Sequence, residues 1–165
     1  MKKLIPYLLL LVFTSLSAQK IADGETVTVD GLAVTFNILN KESVTAGGKT
    51  YDRYKVSATL VNNSGKDFSL RLSNAPQVVT KTELVELDCI NATGAKLTSK
   101  KLALKMNPQN LNVTYWAYTK DGKYQSFVIP VVSGYFLDNG GSVSDNAIFI
   151  VPQGEAPNVT VRKTL

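Results

Sequence analysis

The chain predicts an all-β fold, an antiparallel sandwich of two sheets built from about nine or ten short strands. Three observations predict it. Apolar and polar residues alternate with a period of two in many short segments, as half-buried strands require. Turn-forming residues separate those segments at regular intervals. No segment after the first 18 residues reads convincingly as a helix. The clearest segment is Tyr54 to Leu72, where Tyr54, Val56, Ala58 and Leu60 alternate with Lys55, Ser57, Thr59 and Val61. Asn62-Asn63-Ser64-Gly65 follows as a turn, and Phe68, Leu70 and Leu72 resume the alternation. This reads as a β-hairpin with one apolar face, which a second sheet must cover.

Taken in order, Thr26 to Val29 and Leu32 to Leu39 are strands joined by the tight turn Asp30-Gly31. Lys41 to Lys49, with Gly47-Gly48, reads as a loop before the Tyr54–Leu72 hairpin, and Asn74-Ala75-Pro76 ends that hairpin. Val78 to Ile90 is long for one strand and predicts a bulge or bend near Leu84-Val85. Asn91 to Gly94 is a turn. In Leu97 to Met106 good helix formers compete, but Leu102, Leu104 and Met106 alternate with Lys101, Ala103 and Lys105, which favours a strand. Asn107-Pro108-Gln109-Asn110 reads as a break. Leu111 to Thr119 and Lys123 to Val132 then flank Asp121-Gly122, the best hairpin signal in the chain. Asp138 to Ser142 is a polar loop, Ala147 to Val151 a strand, Pro152 to Pro157 a loop and Asn158 to Lys163 the last strand.

The first 18 residues have the layout of a secretory signal peptide. Met1-Lys2-Lys3 is basic, Leu4 to Leu16 is apolar, and Ser17-Ala18-Gln19 offers small residues for cleavage after Ala18. The apolar run is shorter than the roughly 20 residues of a membrane span. Residues 19–165 are then a single domain, with no membrane span after cleavage. The chain has 18 Lys+Arg against 13 Asp+Glu; without Lys2 and Lys3 the balance is 16 to 13, or +3. The lysines are scattered, so no nucleic-acid surface is expected. The one cysteine, Cys89, excludes an intramolecular disulfide, and its pattern with Val85 and Leu87 predicts a buried, inert thiol. With 44% hydrophobic residues the domain has material for its own core.

The chain contains no histidine. That excludes Ser-His-Asp and Cys-His catalysis and nearly all ordinary zinc sites. No phosphate-binding glycine loop is present, and no cofactor is expected. Asp138 and Asp145 lie in an oxygen-rich stretch that would suit calcium, but the spacing is not that of an EF-hand, and a turn-rich loop is the plainer reading. The aromatic hairpin is the best site candidate. With Asp121-Gly122 as a two-residue turn, Trp116, Tyr118, Phe127 and Ile129 share the core face. Tyr115 and Tyr124 then share the outer face about four residues apart, roughly 13 Å, a span that suits an extended glycan. The plainer alternative is two amphipathic tyrosines on an outer sheet.

The strand count and spacing point to an immunoglobulin-like arrangement. The layout resembles small exported bacterial proteins with an immunoglobulin-like sandwich. The matching features are Met1-Lys2-Lys3 with Ser17-Ala18-Gln19, and the stretch VSATLVNNSGKDFSL at 56–70. The resemblance implies surface interaction or an envelope role and carries over no catalytic or binding residue. The expectation is an exported non-enzymatic binding or structural protein of the bacterial cell envelope, periplasmic or secreted, that acts through contact with an envelope protein. The second expectation is a carbohydrate-binding module using Tyr115 and Tyr124 on an extracellular glycan, and the third an exported hydrolase.

Overall fold

The structure is a computed structural model that describes residues 19–72 and 81–165. Eleven strands are described: β1 (Gln19–Ile21), β2 (Thr26–Val29), β3 (Leu32–Ala46), β4 (Lys49–Asn62), β5 (Phe68–Arg71), β6 (Glu83–Ile90), β7 (Lys96–Lys105), β8 (Asn107–Tyr118), β9 (Tyr124–Leu137), β10 (Ser142–Pro152) and β11 (Asn158–Lys163). All pairings are antiparallel. They form two four-stranded sheets, β1-β11-β6-β7 and β10-β4-β3-β2, and a three-stranded sheet, β5-β9-β8. Val34, Phe36, Val56, Leu60 and Phe149 of one sheet pack with Leu84, Leu87, Leu102, Val159 and Val161 of the other, all buried. The predicted all-β sandwich is therefore what the chain forms.

Local chemistry explains the elements that the sequence foretold. Asp30 and Gly31, at φ 50° and 80°, make the two-residue connection that pairs Val29 with Leu32. Asn91 turns β6 into β7: its side chain accepts from the backbone of Thr93 and Ala95, and Gly94 supplies φ 91°. Residues 96–105 are a strand, because Leu102 and Leu104 face a core that a helix would leave uncovered. The β6–β7 register shifts between Glu83 and Val85, where the bulge was expected. Cys89 is fully buried, and burial pushes its thiol up to about 12. The expectations for the signal segment and for Asn74-Ala75-Pro76 lie outside the described residues.

Three local expectations are corrected. Tyr54 to Leu72 is not a hairpin, since β4 and β5 belong to different sheets. The Asn62–Gly65 turn is real, but buried Asn62 diverts the chain from one sheet to the next. Lys41 to Lys49 is not a loop. The β3–β4 pairing continues from Lys41 opposite Tyr54 to Ala46 opposite Lys49, closed by Gly47-Gly48 at φ 57° and 75°. This extension projects into water, so a polar sequence suits a strand there. Asn107 to Asn110 is the start of β8 rather than a break. Pro108 is accommodated because β8 is an edge strand, where a missing N–H need not interrupt a ladder.

Candidate functional site

The third sheet is anchored to the sandwich at one end only. β5 pairs with β9 from Gly134 to Leu137, where Leu137 is buried and Phe68, Leu70 and Tyr135 pack against the core. Beyond that root, β8 and β9 pair only with each other, from Gln109 opposite Gly134 to Tyr118 opposite Tyr124. Near the root Ser133 is an extra residue between these pairs, and its hydroxyl donates to the Gln109 carbonyl at 3.0 Å. The result is a two-stranded arm of about nine pairs, roughly 30 Å long at the strand rise. None of the described core residues lies between Asn107 and Ser133.

The arm's tip fixes its register. Thr119 N–H donates to the Lys123 carbonyl at 2.8 Å, and Gly122 N–H donates to the Thr119 carbonyl at 3.0 Å. Gly122 has φ 75°. Three residues, Lys120-Asp121-Gly122, thus make the turn, where the sequence suggested two. One extra turn residue moves each facing pair by one. Trp116 faces Ser126 and Tyr115 faces Phe127, whereas the expected register set Trp116 against Phe127. Side chains of facing residues share a face, so Tyr115 and Tyr124 lie on opposite faces of the arm. The shared platform drawn for them from sequence is corrected to this arrangement.

Large apolar side chains stand on both faces of the arm. One carries Leu111, Val113, Tyr115, Phe127, Ile129 and Val131, with Tyr115 and Phe127 stacked at 5.5 Å between ring centres. The other is mixed: Trp116, Tyr118, Tyr124, Val128, Pro130 and Val132 share it with Asn110, Asn112, Thr114 and Ser126. Near the tip, Tyr124 stacks on Trp116 at 5.5 Å and meets Tyr118 at 4.9 Å. These three aromatics are 59%, 74% and 58% exposed for Trp116, Tyr118 and Tyr124 respectively. The expected core face of Trp116, Tyr118, Phe127 and Ile129 is corrected on two counts. The arm leaves the sandwich, so Trp116, Tyr118 and Ile129 are exposed. The one-residue register change moves Phe127 and Ile129 to the opposite face and brings Tyr124 to Trp116 and Tyr118.

Neither strand of the arm carries a charged residue, from Asn107 to Tyr118 or from Tyr124 to Leu137; Lys120, Asp121 and Lys123 occupy the turn. The projecting end of β3–β4 provides an internal contrast. It holds Lys41, Glu42, Lys49 and Arg53 at the surface, with ion pairs from Arg53 to Glu42 and from Lys41 to the buried Asp52 beneath it. The same molecule therefore shows what a ribbon adapted to water looks like.

The other candidates are placed as follows. Asp138 lies in the turn before β10, and Asp145 lies within β10 opposite Ala58. Asp138 lends its backbone carbonyl to Asn62, while the Asp145 carboxylate accepts from the Asn146 N–H at 2.7 Å. Among the described residues no group of three or more Cys, Asp or Glu side chains gathers as a metal site would require. An open cleft of about 590 Å³ is lined by Lys55, Thr98, Lys100, Asn146, Ile148 and Ile150. Asp52 is buried and fully engaged: Lys41 Nζ lies at 2.8 Å, Gly154 N–H donates at 2.8 Å, and the Ser43 hydroxyl donates at 3.3 Å. Hydrogen bonding to Lys41, then to Gly154, holds its carboxyl below the ordinary value. No protein-family model, curated protein or solved structure matches the chain.

Proposed function

We propose that this is an exported, non-enzymatic binding protein of the bacterial cell envelope that acts through protein–protein contact, with the β8–β9 arm as its contact element. One observation carries the reading: a projecting ribbon that exposes large apolar side chains on both faces and has no charge on either strand. A two-stranded hairpin is at best marginally stable alone in water, and large contiguous apolar patches mark interaction sites. The leader-like first 18 residues support export, and the missing histidine narrows the chemistry open to an enzyme. The test is capture from the native envelope fraction with the mature chain, beside a Trp116→Ala/Tyr118→Ala variant. A saturable protein partner that is lost with the variant is expected. Capture that survives deletion of the arm would reject the reading.

A second reading rests on the stacked Trp116, Tyr118 and Tyr124 cluster, whose exposed ring faces suit a sugar. It keeps Tyr124 in the glycan platform and puts Trp116 and Tyr118 in place of Tyr115. Binding of envelope polysaccharide by the purified chain, abolished in Trp116→Ala, would favour it over a protein partner.

A further inference from the structure

We infer that the partner of the arm is a second copy of this chain, joined by antiparallel pairing of the two β8 edges across a two-fold axis near Thr114. The inference rests on the reading of the arm as a protein-binding element and names its occupant.

The two long edges of the arm differ. Paired residues in an antiparallel ladder alternate between those that bond each other and those whose N–H and C=O point outward. The bonded Thr119–Lys123 pair at the tip sets the phase. Counting along the register, Ala117, Tyr115, Val113 and Leu111 bond inward to β9. Tyr118, Trp116, Thr114, Asn112 and Asn110 present their amides and carbonyls outward. On β9 the outward set is Tyr124, Ser126, Val128, Pro130 and Val132. Pro130 has no N–H, so that edge lacks a donor at its middle, and β5 covers its root. The β8 edge from Asn110 to Tyr118 has neither proline nor charge. Free edges in soluble proteins are commonly blunted by Lys, Pro or a bulge; this one carries Pro108 and a register shift only at its root and is open from Asn110 to Tyr118.

That asymmetry selects the symmetry. Head-to-tail pairing of β8 with β9 of the next copy would build rings or filaments, and Pro130 interrupts it. Pairing β8 with β8 uses the same patch on both copies and closes at two. Centred on Thr114, it sets Trp116 opposite Asn112 and Tyr118 opposite Asn110 of the second copy. Each 119–123 turn then lies beside Asn107 to Gln109 of the other chain, where its arm leaves the sandwich. The aromatic tip is thereby brought against the second copy's root. The bonding fits as well. The five outward residues from Asn110 to Tyr118 on each copy would exchange about ten main-chain hydrogen bonds across the axis, and a typical protein interface carries about ten.

The experiment is sedimentation of the mature chain from about 1 μM to about 1 mM, the range over which weak dimers resolve, with amide hydrogen exchange at both ends. A monomer–dimer equilibrium is expected. On dimerisation, exchange should slow at Asn110, Asn112, Thr114, Trp116 and Tyr118, while Leu111, Val113, Tyr115 and Ala117 are protected in both states. Thr114→Pro removes an outward N–H that the hairpin does not use, so it should leave the arm paired and weaken dimerisation roughly tenfold or more. Thr114→Lys and Thr114→Glu should each weaken self-association and form a heterodimer when mixed. A chain that stays monomeric throughout, or a dimer indifferent to all three substitutions, overturns the inference. A monomer that still captures a different protein through Trp116 and Tyr118 overturns only the second copy. A monomer whose arm binds lipid vesicles or glycan and no protein overturns the protein-binding reading with it.

Discussion

Asn62 meets three carbonyl groups where the chain leaves β4 for the third sheet. Its Nδ2 donates to the carbonyls of Lys66 at 2.7 Å, Asp138 at 3.1 Å and Leu137 at 3.3 Å, and its Oδ1 accepts from the Ser64 N–H and hydroxyl. The residue is fully buried, so water cannot replace these bonds easily. Asn62→Ala should lower stability by about 2–4 kcal/mol, seen as a lower urea midpoint at unchanged slope. Asn62→Asp should be worse, since a carboxylate offers the carbonyls no donor. Asp52 is the charged counterpart. Its pKa lies below the ordinary 3.8, so the stability it contributes is complete above that value and is lost as pH falls through the lowered pKa. Lys41 is raised above 10.5, and its share is lost only as pH rises through that raised value. Wild type should therefore melt higher than Asp52→Asn near neutrality, with the gap closing as pH falls through the lowered Asp52 pKa. A gap that persists undiminished on acidification would assign the role to neutral hydrogen bonding.

At the scale of elements, two turns with similar backbones separate conformation from packing. Gly31 at φ 80° and Gly48 at φ 75° both close two-residue hairpins. A Cβ on Gly48 would meet nothing within 4 Å, whereas one on Gly31 would come within 2.5 Å of the Ser64 Cα. Gly48→Ala should cost about 1 kcal/mol from the left-handed conformation alone. Gly31→Ala should cost at least about 2 kcal/mol, because the β2–β3 turn must move off the β4–β5 connection; equal losses in denaturant titrations would refute the contact. Such contacts also show what the sequence could reveal. Asp30-Gly31 and Asn91–Gly94 were legible because turn chemistry is local. The alternation of Leu102 and Leu104 was legible because each strand faces one core. The partner of β5 was not legible, since a period of two says which face is buried and not which strand lies alongside. The polar stretch Lys41 to Lys49 misled for a related reason, because a ribbon beyond the core has no apolar side to show. At the candidate site the hairpin was legible and its register was not: Asp121-Gly122 serves a two-residue or a three-residue turn equally well, and only the Thr119–Lys123 bond decides.

For the whole molecule the consequence is a division of labour between a sandwich that folds and an arm that reaches. The described core draws on the two four-stranded sheets, Met106 and the root of the third sheet, with nothing from Asn107 to Ser133. The arm owes its order to its own ladder and to its anchorage where β5 meets β9. Replacing residues 110–132 with a two-residue Asn-Gly turn should therefore leave the body folded, with a thermal midpoint within about 5 °C of wild type, a shift that corresponds to roughly 1–2 kcal/mol in a domain of this size. The urea slope should fall slightly, because less surface remains to be exposed on unfolding. All partner capture should be lost. The paired outcomes matter more than either alone. A stable body without capture places recognition in the arm. A body that unfolds would show that the ribbon supports the sandwich and that its apolar faces serve folding. Root-side Leu137→Ala should behave oppositely, costing about 2–5 kcal/mol, because Leu137 is buried where the third sheet joins the core. Arm-tip and root substitutions should thus separate binding from stability, as expected if the charge-free ribbon is exposed for a partner.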